Sequence, residues 1–405
     1  MPLADSSVPV PSALPRRVDA LDGLRGIAIV LVVLSHGWQL WPTDWIDSHL
    51  WIEPIFRSGN YAVTVFLVAA GYLTFVTVSG GRGKGVPPTT ALLRRVVRIW
   101  PSLVAMLAVI ALVSALDTTD NGPGYGNGES FVRVLTYTWN WYVMDNLVTS
   151  RPDFGHLWYL SVDMQAFVIV AVLLYLLRRR PVAAIATLVG LWLVLTWWRM
   201  HVMDTEFLFQ VLVRTTARMD PFVLGAIVGA LVPLLDRVVH VRRDLQVYAG
   251  LALASLVPLM WFSVDDRRFL RFGVTLESLA IAVLFGCVAL GAVTPWPLRS
   301  KVLTLLGRHS LLLYIWHYPV FVFVTRHSDG WAWPTRAAVA LSLTVVVCVA
   351  AHWAVERHTA HLMRHPVWQR FDNGILAGVA GAIPFVAARR KRADAATEKR
   401  VSSDR

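Results

Sequence analysis

The chain has 405 residues, of which 56% are hydrophobic and only 16% charged. An ordinary soluble domain carries roughly 25% charged residues, so this composition, with repeated apolar runs near 20 residues long, excludes a soluble enzyme and indicates a polytopic membrane protein. The formal net charge of +12 sits in clusters between apolar runs, as membrane topology requires, and gives no basis for nucleic-acid binding. Cys287 and Cys348 both lie in apolar stretches, which leaves no disulfide framework, no CxxC pair and no metal-ligand spacing.

In chain order, Met1–Pro15 is rich in Pro, Ser and Ala and reads as a disordered tail. Ten membrane-spanning helices are predicted at roughly 24–41, 61–78, 100–116, 158–177, 182–199, 219–235, 246–263, 273–293, 309–324 and 336–355, each long enough for a hydrocarbon core of about 30 Å. The expected fold is therefore all-α. No small-residue cleavage site follows the first apolar run, which is expected to stay as an anchor. Of the 38 Lys and Arg residues, 27 fall on the side that holds both termini, so that side is predicted to be cytoplasmic. The longest outer loop, about 117–157, carries Asn121-Gly122-Pro123-Gly124 and the interface aromatics Trp139, Trp141 and Tyr142. The transmembrane unit is assigned to residues 16–357, an interfacial segment to 358–388, with its apolar part at 375–388, and a disordered basic tail to 389–405.

Charged and titratable groups at membrane depth are costly and mark functional sites. Arg25 and His36 are eleven residues apart in the first helix; at 100° per residue they share a face to within about 20°, separated by a rise of about 16 Å. Arg25 is thereby placed at the cytoplasmic mouth and His36 about halfway across. That suits a group meeting a donor from one side and an acceptor from the other. At the start of the third span, Arg94, Arg95 and Arg98 stand three and four residues apart, so their guanidinium forks converge on a helix face that can grip phosphates. A second set, Trp158, Asp163, Arg218, Asp220, Glu277 and His317, is expected to line an outer cavity for a sugar-like acceptor, whose apolar face stacks on rings while its hydroxyls bond to carboxylates. The alternative for each alone is a purely structural interhelical hydrogen bond or ion pair, such as Arg218 with Asp220.

Taken together, these pieces resemble the acyltransferase 3 family of bacterial integral membrane proteins. The matching residues are Leu21-Asp22-Gly23-Leu24-Arg25-Gly26 with the spacing to His36, Arg95 to Arg98 followed by Ile99-Trp100-Pro101, and Leu157 to Gln165. Further matches are Arg218-Met219-Asp220 leading to Gly225, Leu306-Gly307 with Ser310, Leu313 to Pro319, and Glu356. The resemblance implies a multi-pass protein of the bacterial inner membrane that moves an acyl group, acetyl first among them, from cytoplasmic acyl-CoA to a hydroxyl of an envelope glycan or glycolipid; separately, Arg- and Ala-rich usage suggests a high-GC bacterium, for which a trehalose glycolipid is one acceptor to expect. It implies His36 as the catalytic residue, Arg25 as its companion and Arg95 and Arg98 as contacts of the coenzyme A phosphates, with no metal. His36 then acts as general base or as a transient acyl carrier. Ala70-Gly71-Tyr72 and Thr64 stand where the family has Ser-Gly-Phe/Tyr and a frequent Asp, and Asp163 where it has Glu. The competing expectation is a proton-coupled transporter or flippase of a lipid-linked sugar, since buried His36, Asp163 and His317 also suit a proton path.

Overall fold

The computed structural model describes residues 19–79, 85–120, 127–236, 238 and 242–363; the expected N-terminal tail, the 375–388 segment, the basic tail and Asn121–Gly124 lie outside them. All described secondary structure is helical, with no strand. Eight helices are long and apolar enough to cross a membrane: Ala20–Leu40, Gly59–Ser79, Pro88–Leu116, Pro152–Leu176, Pro181–Thr205, Arg243–Val264, Asp266–Ala289 and Trp333–Leu362. The sixth and ninth expected spans are shorter helices, Asp220–Leu235 of 16 residues and Ser310–Arg326 of 17.

Several boundaries move for identifiable reasons. Prolines sit in the first turn of the helices starting at Pro88, Pro152, Pro181, Asp220 and Trp333, where a missing N–H costs nothing and the fixed φ favours the helix. The fourth span accordingly begins as a 3-10 turn, Pro152–Leu157, six residues before the predicted start, and continues as Trp158–Leu176. This shift places Asp163 deeper than the outer part of the span. The last span runs from Trp333 into a π-turn at His352–Glu356.

Two crossings of backbone on backbone set the arrangement of helices around the site. Where Gly59–Ser79 meets Asp220–Leu235, a Cβ on Gly71 would lie 1.8 Å from the Phe222 carbonyl oxygen, and one on Gly225 would lie 2.0 Å from that of Val68. Only two glycines permit this approach. Where the first helix meets Lys301–Arg308, a Cβ on Gly26 would lie 2.0 Å from the Leu303 carbonyl oxygen and one on Gly307 1.8 Å from that of Asp22. Such reciprocal small-residue contacts are a common packing mode between membrane helices.

The first helix also runs beside Ser310–Arg326 along its length. Arg25 Nη2 donates to Ser310 Oγ at 2.9 Å, His36 and His317 meet at 2.8 Å, and Trp41 Nε1 donates to Thr325 Oγ1 at 2.8 Å. The order of these contacts makes the two helices parallel. Gly71→Ala should force the second and sixth spans apart at a cost of about 1–3 kcal/mol, lowering the thermal unfolding midpoint of the purified protein, whereas Gly190→Ala, with open space at its Cβ position, should leave that midpoint unchanged.

Candidate functional site

A cavity of about 400 Å³ opens between the first, second, third, fourth and ninth spans. Arg25, Arg94, Arg95 and Arg98 all line it, together with Asp163, Tyr159, Ser310 and Tyr314, over an apolar floor that includes Phe66 and Phe167. Arg95 forms an ion pair with Asp163, and its guanidinium lies 4.8 Å from the centroid of the Phe167 ring. Arg25 is held by Ser310. Arg98 is exposed, faces the cavity and has no ion pair among the described residues. The helix spacing of three and four that brings these forks to one face therefore also delivers them to one space. Asp163 belongs with this group through its bond to Arg95 and not with the outer set in which the sequence places it; the earlier start of the fourth span is the cause.

Beyond Tyr314 lies a cluster of three histidines. His36 Nδ1 lies 2.8 Å from His317 Nε2, with the rings stacked at 5.0 Å, and His317 Nδ1 lies 2.8 Å from the Leu313 carbonyl oxygen. A carbonyl only accepts, so His317 Nδ1 carries a proton, and in neutral His317 Nε2 is then an acceptor. It follows that His36 Nδ1 is the donor and that His36 Nε2, in the neutral ring, presents a lone pair. His36 Nε2 makes no hydrogen bond among the described residues. The ring is only partly buried, whereas His317 is wholly buried. The pair thus has the parts of an oriented base: an imidazole with a free nitrogen, held by a second imidazole that is itself fixed by backbone.

The third member, His156, is marked by no pattern in the sequence. It is 1% exposed, its ring centroid lies 5.4 Å from that of His317 and 6.3 Å from that of His36, and Tyr318 packs against both His36 and His156 at 4.8 and 4.9 Å. The sequence assigns His156 to a loop because the 3-10 turn that carries it precedes the apolar run. Tyr314 connects the two parts of the site: it lines the arginine cavity, its ring packs on His156 at 5.0 Å, and its hydroxyl donates to the His156 carbonyl oxygen.

The turn bearing His156 is fixed by a buried ion network that the sequence also conceals. Arg151 bonds to Asp120 and Asp153, each at 2.8 Å, and to Ser114 Oγ at 2.8 Å. Arg326, at the end of the ninth span, pairs with Asp120 and lies 3.5 Å from Asp153. Four ionic groups from three segments are thereby matched where water is excluded, which is the condition for burying them.

Several of the remaining outer candidates have partners that the sequence does not predict. Asp220 pairs with Arg199 at 3.0 Å and not with Arg218; Arg199, wholly buried, also donates to Thr275 Oγ1 at 2.6 Å and to the Leu270 carbonyl. Arg218 lies 5.5 Å from the Trp158 ring centroid, so those two are together, while Glu277 is buried and has no ion pair among the described residues. His317 belongs to the histidine cluster. Asp163, Asp220 and His317 thus each pair with a residue outside the expected outer set, while Arg218 stays within electrostatic reach of Asp220 and Glu277. At the opposite end, His309, His352 and Glu356 are the described residues whose ligand atoms, within 4.8 Å of one another, could hold a metal ion.

The membrane-length apolar helices thus hold a guanidinium-lined cavity near the His36–His317 pair. The chain belongs to the acyltransferase 3 family, an acyltransferase domain that matches residues 18–353. It is similar to "Putative O-acetyltransferase SACOL0978" of Staphylococcus aureus strain COL, with 22% identity over 364 residues covering 84% of this chain and 57% of that protein. It is also similar to O-acetyltransferase OatA of Staphylococcus aureus strain NCTC 8325, with 23% identity over 335 residues covering 77% of this chain and 52% of OatA. The chain spans little more than half the length of these relatives. No solved structure matches it.

Arg151→Ala should strand the Asp120 and Asp153 carboxylates, a loss of about 3–5 kcal/mol for a broken buried pair. The expected result is a sharply lower unfolding midpoint and poor recovery from membranes. Arg133→Ala, which removes an exposed helical pair with Glu129, should change the midpoint by less than about 0.5 kcal/mol equivalent.

Proposed function

We propose that this protein transfers an acyl group, acetyl in the first instance, from cytoplasmic acyl-CoA to a hydroxyl of an envelope glycan or glycolipid at the outer face of the bacterial inner membrane. In this reading ten segments cross the bilayer, both termini are cytoplasmic, and the arginine cavity opens to the cytoplasm. The observation that carries it is the junction of that cavity with the His36–His317 pair through Tyr314, which lines the cavity and whose ring centroid lies 6.0 Å from that of His317. The relatives' names as O-acetyltransferases support transfer over transport.

Each step has a residue suited to it. Exposed Arg98, with Arg95 and Arg94 beside it in the cavity wall, supplies planar, permanently charged donors for the phosphates of the coenzyme, the geometry guanidinium recognises best. Arg95 is fixed by Asp163 and so offers a pre-set fork with its rotamer entropy already spent. From Arg25 to His36 the first helix rises about 16 Å, a distance suited to a long flexible arm that anchors its phosphates among the arginines and carries its thioester inward. At the inner end His36 Nε2 takes the proton of the acceptor hydroxyl as that oxygen attacks the thioester carbonyl; the carbon–sulfur bond breaks, and the coenzyme leaves as thiolate, to be reprotonated from the imidazolium. In the alternative sequence the same nitrogen attacks the thioester carbonyl and the carbon–sulfur bond breaks, expelling the coenzyme as thiolate; the hydroxyl oxygen then attacks the acyl-imidazole, the carbon–nitrogen bond breaks, and the hydroxyl proton goes to the thiolate. Both use one lone pair in one place, and His317 serves both by holding the tautomer.

His36→Ala should reduce acetyl transfer by about 10²–10⁴-fold while acetyl-CoA still binds the purified protein in a calorimetric titration. Undiminished transfer by that variant would contradict the assignment. Arg98→Ala should weaken acetyl-CoA binding by roughly tenfold or more, the loss of a charge-assisted contact, and restore near-normal rates at raised donor concentration. His317→Ala, which releases the His36 ring, should lower the maximal rate with little change in donor affinity.

A further inference from the structure

At the edge of the arginine cavity the structure gathers three metal-ligating side chains from segments far apart in sequence. His309 occupies the junction between Lys301–Arg308 and Ser310–Arg326, immediately before Ser310, which lines the cavity. His352 and Glu356 are the first and last residues of the π-turn that ends the last span. Glu356 Oε2 lies 3.2 Å from His309 Nδ1 and 2.7 Å from His352 Nδ1. All three side chains are about one-third exposed, so an ion can reach them.

We propose that His309, His352 and Glu356 bind a divalent transition metal of the zinc class. The geometry can be checked against what such an ion requires. Zinc–nitrogen bonds are about 2.0–2.1 Å, which puts the centroid of each ligating imidazole roughly 3.2 Å from the ion. At a tetrahedral angle the two centroids are then roughly 5.2 Å apart. The His309 and His352 centroids are 5.1 Å apart, with their rings at 85°. Likewise, two ligand atoms about 2.0–2.1 Å from one ion are separated by roughly 2.9 Å at right angles and 3.3 Å at the tetrahedral angle, and the two nitrogen–oxygen separations fall at 2.7 and 3.2 Å. Two imidazoles and a carboxylate are a donor set that zinc and its neighbours accept while leaving a position open. The π-turn has a structural part in this. Its wider spiral is uncommon and tends to occur at functional positions, and here it aims His352 and Glu356, four residues apart, at the same point as His309. In the metal-free protein each imidazole donates its Nδ1 proton to Glu356; on binding, those protons move to Nε2 and the Nδ1 lone pairs and the carboxylate turn to the ion.

The sequence offers no sign of this site, since no short spacing joins His309 to His352. It does not depend on the acyl-transfer assignment, and its test needs no acyl donor. The full chain, freed of any polyhistidine tag and stripped with EDTA, is reconstituted in nanodiscs and titrated with Zn²⁺ by calorimetry and with Co²⁺ by visible absorption. One equivalent should bind with micromolar affinity and give the intense bands of low-coordinate cobalt. His309→Ala, His352→Ala and Glu356→Gln should each weaken binding by about 10–100-fold, with the helical content of each variant by circular dichroism unchanged. His358→Ala, two residues beyond Glu356 and exposed, should bind as the wild type does. Absence of a stoichiometric Zn²⁺ site in the wild type, or affinity retained in both His352→Ala and Glu356→Gln, would overturn the proposal.

Discussion

An ionic group at membrane depth must be matched or it costs several kcal/mol, and this constraint organises the chain around its site. Arg95 is matched by Asp163, Arg151 and Arg326 by Asp120 and Asp153, and Arg199 by Asp220. Arg218, without an acidic partner at ion-pair distance, is covered by the face of Trp158. Each of these contacts joins two or more segments, so charge matching also serves as tertiary structure. Arg98 stands apart, exposed to the cavity and without an ion pair among the described residues. A guanidinium left in that state, between neighbours that are held in place, has capacity for an anion from outside the protein.

The parallel run of the first and ninth spans converts this frame into chemistry. Arg25 and His36 are eleven residues apart on one helix, whereas their partners Ser310 and His317 are seven apart on the other. The difference of four residues, roughly 6 Å of rise, is taken up by the extended side chain of Arg25, while the two imidazoles meet almost directly. Because the helices are locked at both ends, by Arg25 at one and by Trp41 with Thr325 at the other, the His36 ring has little freedom to turn from His317. The glycine crossing at Gly26 and Gly307 removes the remaining freedom by bringing the first helix onto Lys301–Arg308 at backbone distance. Of the six residues Leu21–Gly26, Arg25 thus works at the site, whereas Gly26 works in packing.

Much of this was legible in the sequence, and the boundary of what was legible has a physical basis. Helical periodicity puts Arg25 with His36 and Arg94 with Arg95 and Arg98, since residues on one helix face are related by fixed angles. Apolar runs locate the spans, because the hydrocarbon core demands them. Partners on other helices are another matter. Nothing in one dimension says that Asp220 answers Arg199 and not the adjacent Arg218, or that Asp163 answers Arg95, because those choices depend on how the helices rotate and on where each begins. Hydropathy starts the fourth span at Trp158, since Arg151, Asp153 and His156 read as polar loop; in the structure Arg151 and Asp153 neutralise one another and their neighbours, so the helical segment starts earlier, at Pro152. The same misplacement concealed His156 and moved Asp163 to the wrong group.

His156 is brought to the His36–His317 pair by two departures from regular helix. The first is the 3-10 turn Pro152–Leu157, which is tighter than an α-helix and is pinned at its start by Arg151. The second is Pro319 inside the ninth span. Lacking an N–H, Pro319 cannot bond to the Ile315 carbonyl one turn earlier, and that carbonyl, with its neighbour at Tyr314, lies beside the His156 ring. Neither ring nitrogen of His156 has a protein partner in hydrogen-bond geometry. A regular helix at this point would keep the Ile315 carbonyl within its own ladder and present the ring with a closed apolar surface. The irregular one frees the Ile315 carbonyl from its usual helical donor beside a ring whose nitrogens have no protein partner, so the histidine cluster keeps hydrogen-bonding capacity next to His36.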